Sequence, residues 1–350
     1  MVAPSEAGGD VAGQDAAPPG AVGSGAALPD VVLGLDIGGT KLAAGVVAPD
    51  GEVRSFLVAP SWARQGARTT LDRLFDLGRD ALTQAGNPRL AAVGIGCGGP
   101  LDPYRGILLR PPHLPDWVNV PVTEWTQDAF GAPAVVDNDA TAAAAGEHRF
   151  GAGVGTRNLV YLTLSTGVGG GLVIDGKVYR GAAGNGGELG HITVEQYGRR
   201  CRSCGRRGCL EAYVSGVSIA ERAREALAGG VESLLTPVAE LTAADVQRAA
   251  LAGDPVAAMV WDETVEALIC GLTSIVNLVE PELVVLGGGV TRAGEHLIGP
   301  VRQAVLRQAM APAAQAVRIV RAALGDRVGV VGAAAIAYER LPTGRTHPDG

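Results

Sequence analysis

The chain has 350 residues, of which 47% are hydrophobic and 19% charged, and its formal net charge is −7. This length suits two domains or one large one, and the apolar fraction is sufficient for a sizeable core. No basic face or polybasic run favours nucleic acid or anionic lipid as a partner. No apolar run approaches the length of about 18 residues that a membrane span requires.

Both ends of the chain are predicted to be loose. Residues 1–30 are mostly alanine, glycine, proline, valine and acidic residues, and they lack the basic and apolar segments of a signal peptide, so we expect a disordered extension. Residues 341–350 form a second loose tail. Five cysteines, three of them clustered, favour metal thiolates in a reducing compartment over a disulfide framework. We therefore expect a cytoplasmic protein.

The first predicted strands form a meander with a glycine turn after its first strand. Strands are predicted over residues 31–37, 42–48 and 52–58, with a Pro49-Asp50-Gly51 turn before the third. The same order recurs from residue 159, where strands over 159–164, 171–174 and 177–180 are separated by a glycine-rich loop and an Asp-Gly turn. This repetition predicts two duplicated α/β domains facing one nucleotide. Two unrelated hairpins are the alternative.

Helices and further strands are predicted in the remaining intervals. The helix over 69–85 carries an apolar face that includes Gly78, which either weakens the helix prediction or marks a close packing contact. An alanine-rich helix follows over 140–150, a long apolar one over 256–279 and a closing one over 330–340. Buried strands are predicted over 283–286 and 317–320.

The turn after the first strand is a candidate phosphate loop formed by Asp36, Gly38, Gly39, Thr40 and Lys41. Glycine lets backbone N–H groups approach phosphate oxygens, and threonine adds a hydroxyl. The aspartate could hold Mg²⁺ through water. The lysine either meets a phosphate or is simply solvated. The spacing matches neither a Walker loop nor a dinucleotide-binding fingerprint.

Two later glycine runs complete the predicted nucleotide site. The loop over 165–171 offers Ser165, Thr166, Gly167 and Gly169, and its alternative interpretation is a glycine-rich hairpin. A third run follows the strand at 283–286 and could let an adenosine ring lie against the backbone; it consists of Gly287, Gly288 and Gly289. A plain turn is an equally good interpretation of that run.

The segment Asp137-Asn138-Asp139 places polar groups between a strand and a helix. One of them is expected to cap the helix, and a carboxylate here can also take a hydroxyl proton during phosphoryl transfer. Asn138 offers a donor and an acceptor to vicinal hydroxyls. The glycine turn around Gly99 is of a type that lines a small pocket, and His113 begins a loop at the pocket edge or is merely structural.

A candidate zinc site follows in the second half of the chain. Its ligands are His191, Cys201, Cys204 and Cys209, because three thiols and one imidazole at this spacing can close a tetrahedral site. The carboxylates Glu188 and Glu211 flank these ligands and would line a pocket for a polyhydroxyl substrate. The alternative is three reduced cysteines without metal.

Together these motifs resemble the ROK family of sugar kinases and repressors, within the actin-like ATPase superfamily, over residues 31–340. Within the family, the resemblance is greatest to bacterial zinc-containing glucokinases. It implies an actin-like ATPase (ribonuclease H-like) fold with two duplicated α/β domains flanking a cleft. The implied reaction is ATP-dependent phosphorylation of the 6-hydroxyl of a hexose, most simply glucose, with ATP, Mg²⁺ and a structural Zn²⁺ as cofactors. It also implies a homodimer or homotetramer.

The resemblance assigns roles and boundaries to this chain. It makes Asp139 the catalytic base, and the implied sugar contacts are Gly99, Asn138, Asp139, Glu188, His191 and Glu211. It implies a small domain over 31–141, completed by the helix over 330–340, and a large domain with the zinc knuckle over 142–329.

Departures from the family pattern leave alternatives open. The cysteine run is CxxCGxxGCxE where the family has CxCGxxGCxE, so Cys201 lies one residue early and Arg202 takes its usual place. Thr141 and His113 stand where relatives usually have asparagine, so an amino sugar, another hexose or a cyclitol remains possible.

Rival functions of the same family also remain. A sugar-responsive repressor would need a helix-turn-helix, for which residues 1–30 are too short and too rich in glycine and proline. A non-catalytic sugar-binding protein is disfavoured by the intact Asp139 and phosphate loops. Polyphosphate is a possible donor, but relatives that use it tend to lack the cysteine knuckle.

Overall fold

The computed structural model describes residues 30–341. The extension and the tail predicted for the two ends therefore lie outside the described residues, apart from one residue at each end. The described chain forms two five-stranded sheets, a small two-stranded ribbon and ten α-helices. None of these helices combines the length and the apolar character needed to cross a bilayer.

The strands follow the chain in the order β1 (Val31–Ile37), β2 (Lys41–Val47), β3 (Val53–Pro60), β4 (Leu90–Cys97), β5 (Leu101–Asp102), β6 (Ile107–Leu108), β7 (Ala134–Asn138), β8 (Leu159–Leu164), β9 (Val168–Ile174), β10 (Lys177–Tyr179), β11 (Leu283–Gly287) and β12 (Arg318–Arg321). The helices are α1 (Ala67–Gln84), α2 (Val122–Phe130), α3 (Asp139–Phe150), α4 (Glu211–Val214), α5 (Gly216–Leu227), α6 (Ala243–Leu251), α7 (Pro255–Val279), α8 (Glu295–Gln308), α9 (Ala311–Ala316) and α10 (Val328–Arg340).

The two large sheets have the same topology. The strand order is β3-β2-β1-β4-β7 in the first and β10-β9-β8-β11-β12 in the second. In each sheet an antiparallel meander of three strands is followed by two parallel strands. The duplication predicted from the two glycine loops is therefore present in the architecture.

Helices α3 and α10 join the two sheets. Helix α3 packs on β8 and β9, whereas α10 packs on β1, β2 and β4, and the two helices pack against each other. Their contact is close because a Cβ on Gly332 would lie 2.5 Å from the Ala142 carbonyl oxygen. The boundary proposed between residues 141 and 142 falls inside α3, and the division into domains stays a prediction.

The second glycine loop is shorter than predicted. Residues 168–170 belong to β9, where Gly169 pairs with Thr163 and Gly170 with Leu162. Glycine normally interrupts a strand, but here it permits close packing, since a Cβ on Gly170 would lie 2.5 Å from the Gly187 carbonyl oxygen. The helices over 122–130, 216–227, 243–251 and 295–308 have no counterpart in the sequence predictions.

Each sheet has its own apolar core. Helix α7, predicted as a long core helix, buries Leu268, Leu272 and Ile275 in the apolar cluster that also contains strands of the second sheet. Helix α1 covers the first sheet, and Gly78 on its buried face marks a close contact, because a Cβ there would lie 2.8 Å from Phe130 Cζ.

Replacing Gly94 with alanine is expected to destabilise the protein. Gly94 faces α10 from β4, and a Cβ would lie 1.7 Å from the Ala333 carbonyl oxygen, so the helix must move. Such overpacking costs about 1–3 kcal/mol, measurable as a lower free energy of unfolding in a denaturant titration. Gly229→Ala is the matched control, because Gly229 is exposed and the nearest atom would be 3.6 Å away. Equal stability of the two variants would show that α10 is not seated on β4.

Candidate active site

Two connected cavities lie along the glycine loops, the smaller between the two sheets and the larger within the second half of the chain. The smaller, of about 390 Å³, is lined by the ends of β1 and β11 and the start of α3, including Asp36, Lys41, Asp139 and the glycines Gly287, Gly288 and Gly289. The larger, of about 670 Å³, is lined by Ser165, Thr166, Trp261 and residues of α5 and α6. Ser165, Gly289 and Arg292 line both. The cavities therefore form one elongated cleft with a polar end and a more apolar end.

The start of α3 places Asp139 in the smaller cavity. Asn138 is the residue that caps the helix, since its Oδ1 accepts hydrogen bonds from Ala140 N at 2.9 Å and Thr141 N at 3.3 Å. The Asp139 carboxylate is thus free to face the cleft, where its Oδ1 also accepts from Ala140 N at 2.8 Å. The cap occupies Asn138 Oδ1, so the side chain presents mainly its NH₂ donors to a ligand.

Two carboxylates share the smaller cavity and repel each other. Burial raises the pKa of Asp36 to about 7, the charge of Asp139 adds to the rise, and Lys41 opposes it. Asp139 is exposed to the cleft, and partial desolvation by the surrounding protein raises its pKa, while the Ala140 amide and His113 oppose the rise. A divalent cation would relieve the repulsion, so the pair is chemically suited to a hard cation such as Mg²⁺.

The glycine loops bring backbone close to this cavity. The first loop is a tight turn in which Gly38 N donates to the Lys41 carbonyl at 3.0 Å. Gly288 has φ +85, a conformation that favours glycine, and a Cβ there would lie 2.4 Å from the Leu164 carbonyl oxygen. The third glycine run therefore abuts the end of β8, directly before the second loop.

The glycine-loop residues differ in where they lie. Those that line a cavity are Asp36, Lys41, Ser165, Thr166, Gly287, Gly288 and Gly289. Gly38, Gly39, Thr40 and Gly167 are in the loops but do not line either of these cavities. Gly169 is in β9 and packs on α3, because a Cβ would lie 2.8 Å from Ala140 Cβ. Its contribution is to let the strand approach the start of α3.

A second group of polar side chains converges beside Asp139. Desolvation raises the pKa of Glu188, His191 opposes the rise, and the charges of Asp139 and Glu211 add to it. Glu211 Oε2 accepts from Val168 N at 3.0 Å. A Cβ on Gly99 would lie 3.5 Å from Asn138 Nδ2, which places that glycine at the same site. All six predicted sugar contacts thus lie near the start of α3 or on the wall that faces it.

The four predicted metal ligands come together. The ligand atoms of His191, Cys201, Cys204 and Cys209 all lie within 4.8 Å of one another. Cys204 Sγ and Cys209 Sγ are 3.5 Å apart, and Cys201 Sγ is 3.8 Å from His191 Nδ1. Bonds of about 2.3 Å to a tetrahedral zinc would require separations of roughly 3.8 Å between sulfur atoms. The donor set therefore fits zinc, and Cys201 reaches the cluster although it lies one residue outside the family's register.

The cysteine cluster is connected to the acidic wall. Ser203 Oγ donates a hydrogen bond to Glu211 Oε1, while Val168 N holds the other carboxylate oxygen. The Glu211 carboxylate is thereby fixed from two sides, by the cysteine loop and by the start of β9.

Several residues of the cleft have no counterpart in the sequence predictions. Arg292 and Arg321 line the smaller cavity, and Trp261, Arg224 and Arg248 line the larger one. Their positions are spread over the second half of the chain, and no local motif marks them.

Asp137, which the sequence left as a helix cap or a functional carboxylate, does not cap the helix and lines neither cavity. It is completely buried and forms an ion pair with Arg180 at 2.6 Å. A pair between residues so distant in sequence leaves no local signal.

Residues 32–340 match the ROK family model. The chain therefore belongs to the ROK family, and the predicted actin-like ATPase fold is confirmed. It is 36% identical to the glucokinase of Thermotoga maritima over 314 residues, which cover 89% of this chain and 98% of that protein.

Solved structures of family members agree with this assignment. The ROK hexokinase of Thermus thermophilus is 36% identical with a TM-score of 0.75, covering 88% of this chain and 98% of that one. The ROK glucokinase of Streptomyces griseus, in complex with glucose and AMPPNP, is 35% identical with a TM-score of 0.73, covering 88% and 99%.

Other relatives have different names. The N-acetylmannosamine kinase of Shigella flexneri is 32% identical over 307 residues, covering 87% of this chain and 98% of that protein. The xylose repressor of Caldicellulosiruptor bescii is 33% identical over 268 residues, covering 75% of this chain and 67% of that protein. Family membership therefore does not decide which sugar the protein binds, or whether it is a kinase or a regulator. These two questions depend on the site itself.

Proposed function

We propose that this protein is an ATP-dependent sugar kinase that phosphorylates the 6-hydroxyl of a hexose, with glucose as the leading candidate. The observation that carries the proposal is the position of Asp139. It lies between a cavity lined by glycine loops and the polar group formed by Asn138, Glu188 and Glu211. The similarity to a glucokinase that binds glucose and an ATP analogue supports the same assignment.

In this proposal Asp139 is the general base. It would accept the proton of the attacking hydroxyl as the bond to phosphorus forms. Its raised pKa makes the deprotonated carboxylate a stronger base. Asn138, Glu188, His191 and Glu211 would hold the other sugar hydroxyls, and Gly99 would let the ring approach the backbone.

The donor phosphates would lie along the glycine loops. Lys41 and the backbone amides of the loops would bind their oxygens, and the adenosine would extend past Gly289 into the larger cavity beside Trp261. Mg²⁺ held near Asp36 would neutralise charge on the transferred phosphoryl group.

A structural zinc is proposed at His191, Cys201, Cys204 and Cys209. Zinc bound there would make the acidic wall rigid, because the same loop orients Glu211 through Ser203. A histidine ligand with one ring nitrogen on the metal can turn the other towards the sugar.

Two residues, Thr141 and His113, depart from the family pattern, and we expect His113 to have the larger effect on the acceptor sugar. Thr141 is only 3% exposed, so its side chain is directed into the protein. His113 is at the glycine turn beside Gly99, since a Cβ on Gly98 would lie 2.4 Å from His113 Cε1. We therefore expect His113 to influence the choice among glucose, amino sugars, other hexoses and cyclitols.

A coupled kinase assay over hexoses, amino sugars and cyclitols, run with ATP and with polyphosphate, tests the proposal. ATP-dependent turnover of glucose is the expected result. Turnover of a different sugar, or with polyphosphate alone, would replace the acceptor or the donor. Sugar binding without any turnover would leave the second candidate, a sugar-responsive regulator, which the similarity to the xylose repressor favours. Specific, salt-sensitive DNA affinity would then support it.

The rate of phosphorylation is expected to fall on the acid side at a pH above the pKa of about 3.9 that an ordinary aspartate has. Desolvation raises the pKa of Asp139. A protonated Asp139 cannot accept a proton, so activity is present above the raised pKa and is lost as the pH falls through it. The measurement is kcat against pH, with fluorescence at each pH to exclude unfolding. An acid limb at the ordinary value would argue against Asp139 as the base.

A further inference from the structure

The segment between β10 and Glu188 crosses from the second sheet to the first. It starts at Arg180, directly after β10, and contains Asn185. Arg180 contacts β7 of the first sheet and helix α10, and Asn185 contacts β5 of the two-stranded ribbon, so the segment is anchored at two points in the first half of the fold.

The first anchor is a largely buried ion-pair group. Arg180 Nε donates to Asp137 Oδ2 at 2.6 Å, and Arg180 Nη2 donates to Glu339 Oε2 at 2.9 Å. The side chains of Arg180 and Asp137 are 13% and 1% exposed. One guanidinium thus joins β10, β7 and α10, and its planar donors satisfy both carboxylates.

Asp137 connects the ion pair with Arg180 to the backbone beside Asp139. Its Oδ1 accepts from Asn138 N at 3.0 Å, while its other oxygen is held by Arg180. The backbone turn that makes Asn138 the helix cap is therefore fixed by a carboxylate that Arg180 orients.

The second anchor is Asn185. Its Oδ1 accepts from Leu101 N at 3.3 Å, and its Nδ2 donates to the Leu101 carbonyl at 3.0 Å. A Cβ on Gly99 would lie 3.5 Å from Asn185 Oδ1. The amide thus pairs with β5 next to the glycine turn of the proposed sugar site.

We propose that Arg180 is a positioning residue that, with Asn185, fixes the sugar-binding group across the two halves of the protein. Glu188 follows the segment, and Asn138 and Asp139 follow the residue that Arg180 holds. The two anchors therefore set the distance between the acidic wall and the start of α3. This inference rests on the proposed function and adds to it residues that touch neither sugar nor ATP.

The test compares Arg180→Lys with the wild type in steady-state assays. Lysine keeps the charge but cannot hold two carboxylates with a planar fork. We expect the KM for sugar to rise about tenfold, since small misplacements at such sites have effects of this order. The KM for ATP and the melting temperature should stay close to wild type. Asn185→Ala should shift the KM for sugar in the same direction.

Arg302→Lys is the control, because Arg302 pairs with Glu295 on α8 and lines neither cavity. The double variant Arg180→Met/Asp137→Asn removes the charged pair without leaving a buried charge, so it provides a folded comparison if single variants are unstable. It should show the same selective loss of sugar affinity.

Two outcomes would overturn the inference. One is a KM for sugar in Arg180→Lys and in the double variant equal to wild type. The other is an equal rise in KM for both substrates, which would mark a general disturbance of the cleft and not a selective loss of the sugar-binding geometry. If the wild type phosphorylates no sugar, the proposed function fails and this inference with it, whereas normal wild-type turnover with unaffected variants overturns the inference alone.

Discussion

Replacing Asp139 with asparagine is expected to lower kcat by about 10²- to 10⁴-fold, the usual contribution of a general base. Asparagine has nearly the same shape and can still accept from the Ala140 amide, which Asp139 Oδ1 does at 2.8 Å. It cannot take the proton of the attacking hydroxyl. Sugar affinity, measured by calorimetry, should therefore stay nearly unchanged while turnover is lost.

The control for this variant is Asp128→Asn, an exposed position on α2. It should match the wild type in both measurements. Near wild-type turnover by Asp139→Asn would remove the residue from the proposed role, and a parallel loss of sugar binding would show that it acts mainly as a ligand.

Replacing Cys209 with serine is expected to abolish zinc binding and to raise the KM for sugar by at least about tenfold to a hundredfold. Cys209 is buried in the cysteine cluster, 3.5 Å from Cys204 Sγ. Without the metal, the cysteine loop is no longer held together by its ligand bonds. Glu211 is then no longer kept in the position that its hydrogen bond from Ser203 supports. Metal analysis of freshly purified protein should give one zinc per wild-type chain and none for the variant.

Cys270→Ser is the matched control, because Cys270 is exposed on α7 and lies outside the cluster. It should retain both zinc and sugar affinity. Cys201→Ser should behave like Cys209→Ser, since Cys201 Sγ lies 3.8 Å from His191 Nδ1. Zinc-free wild-type protein with normal activity would remove the proposed structural role of the metal.

Much of the fold could be predicted because local signals decide it. The strands around the first glycine turn are short apolar runs between turn residues, and β1 forms over Val31–Ile37 as predicted. The limits of β9 could not be predicted, because its glycines are explained only by packing against residues 187–189 and α3. Local composition cannot report that contact.

The candidate site also contains some residues that the sequence predicts and others that it does not. The four candidate metal ligands can be predicted from their spacing, and Cys201 joins the cluster although it lies outside the family's register. The ion pair between Arg180 and Asp137 depends on how the two halves of the chain meet, so no sequence motif indicates it. Which of the three polar residues caps the helix depends on the backbone conformation, which the sequence alone leaves open. The structure has Asn138 as the cap.

The capped start of α3 has a consequence for which ligand atoms the site accepts. Asn138 uses its carbonyl oxygen for the Ala140 and Thr141 amides, so the NH₂ group is what it offers to a ligand. The ligand atom opposite it must then be a lone-pair oxygen, such as that of a hydroxyl or an acetamido carbonyl. A free protonated amine has no lone pair and is disfavoured there, so a site of this kind sorts sugars by the direction of a hydrogen bond as well as by shape.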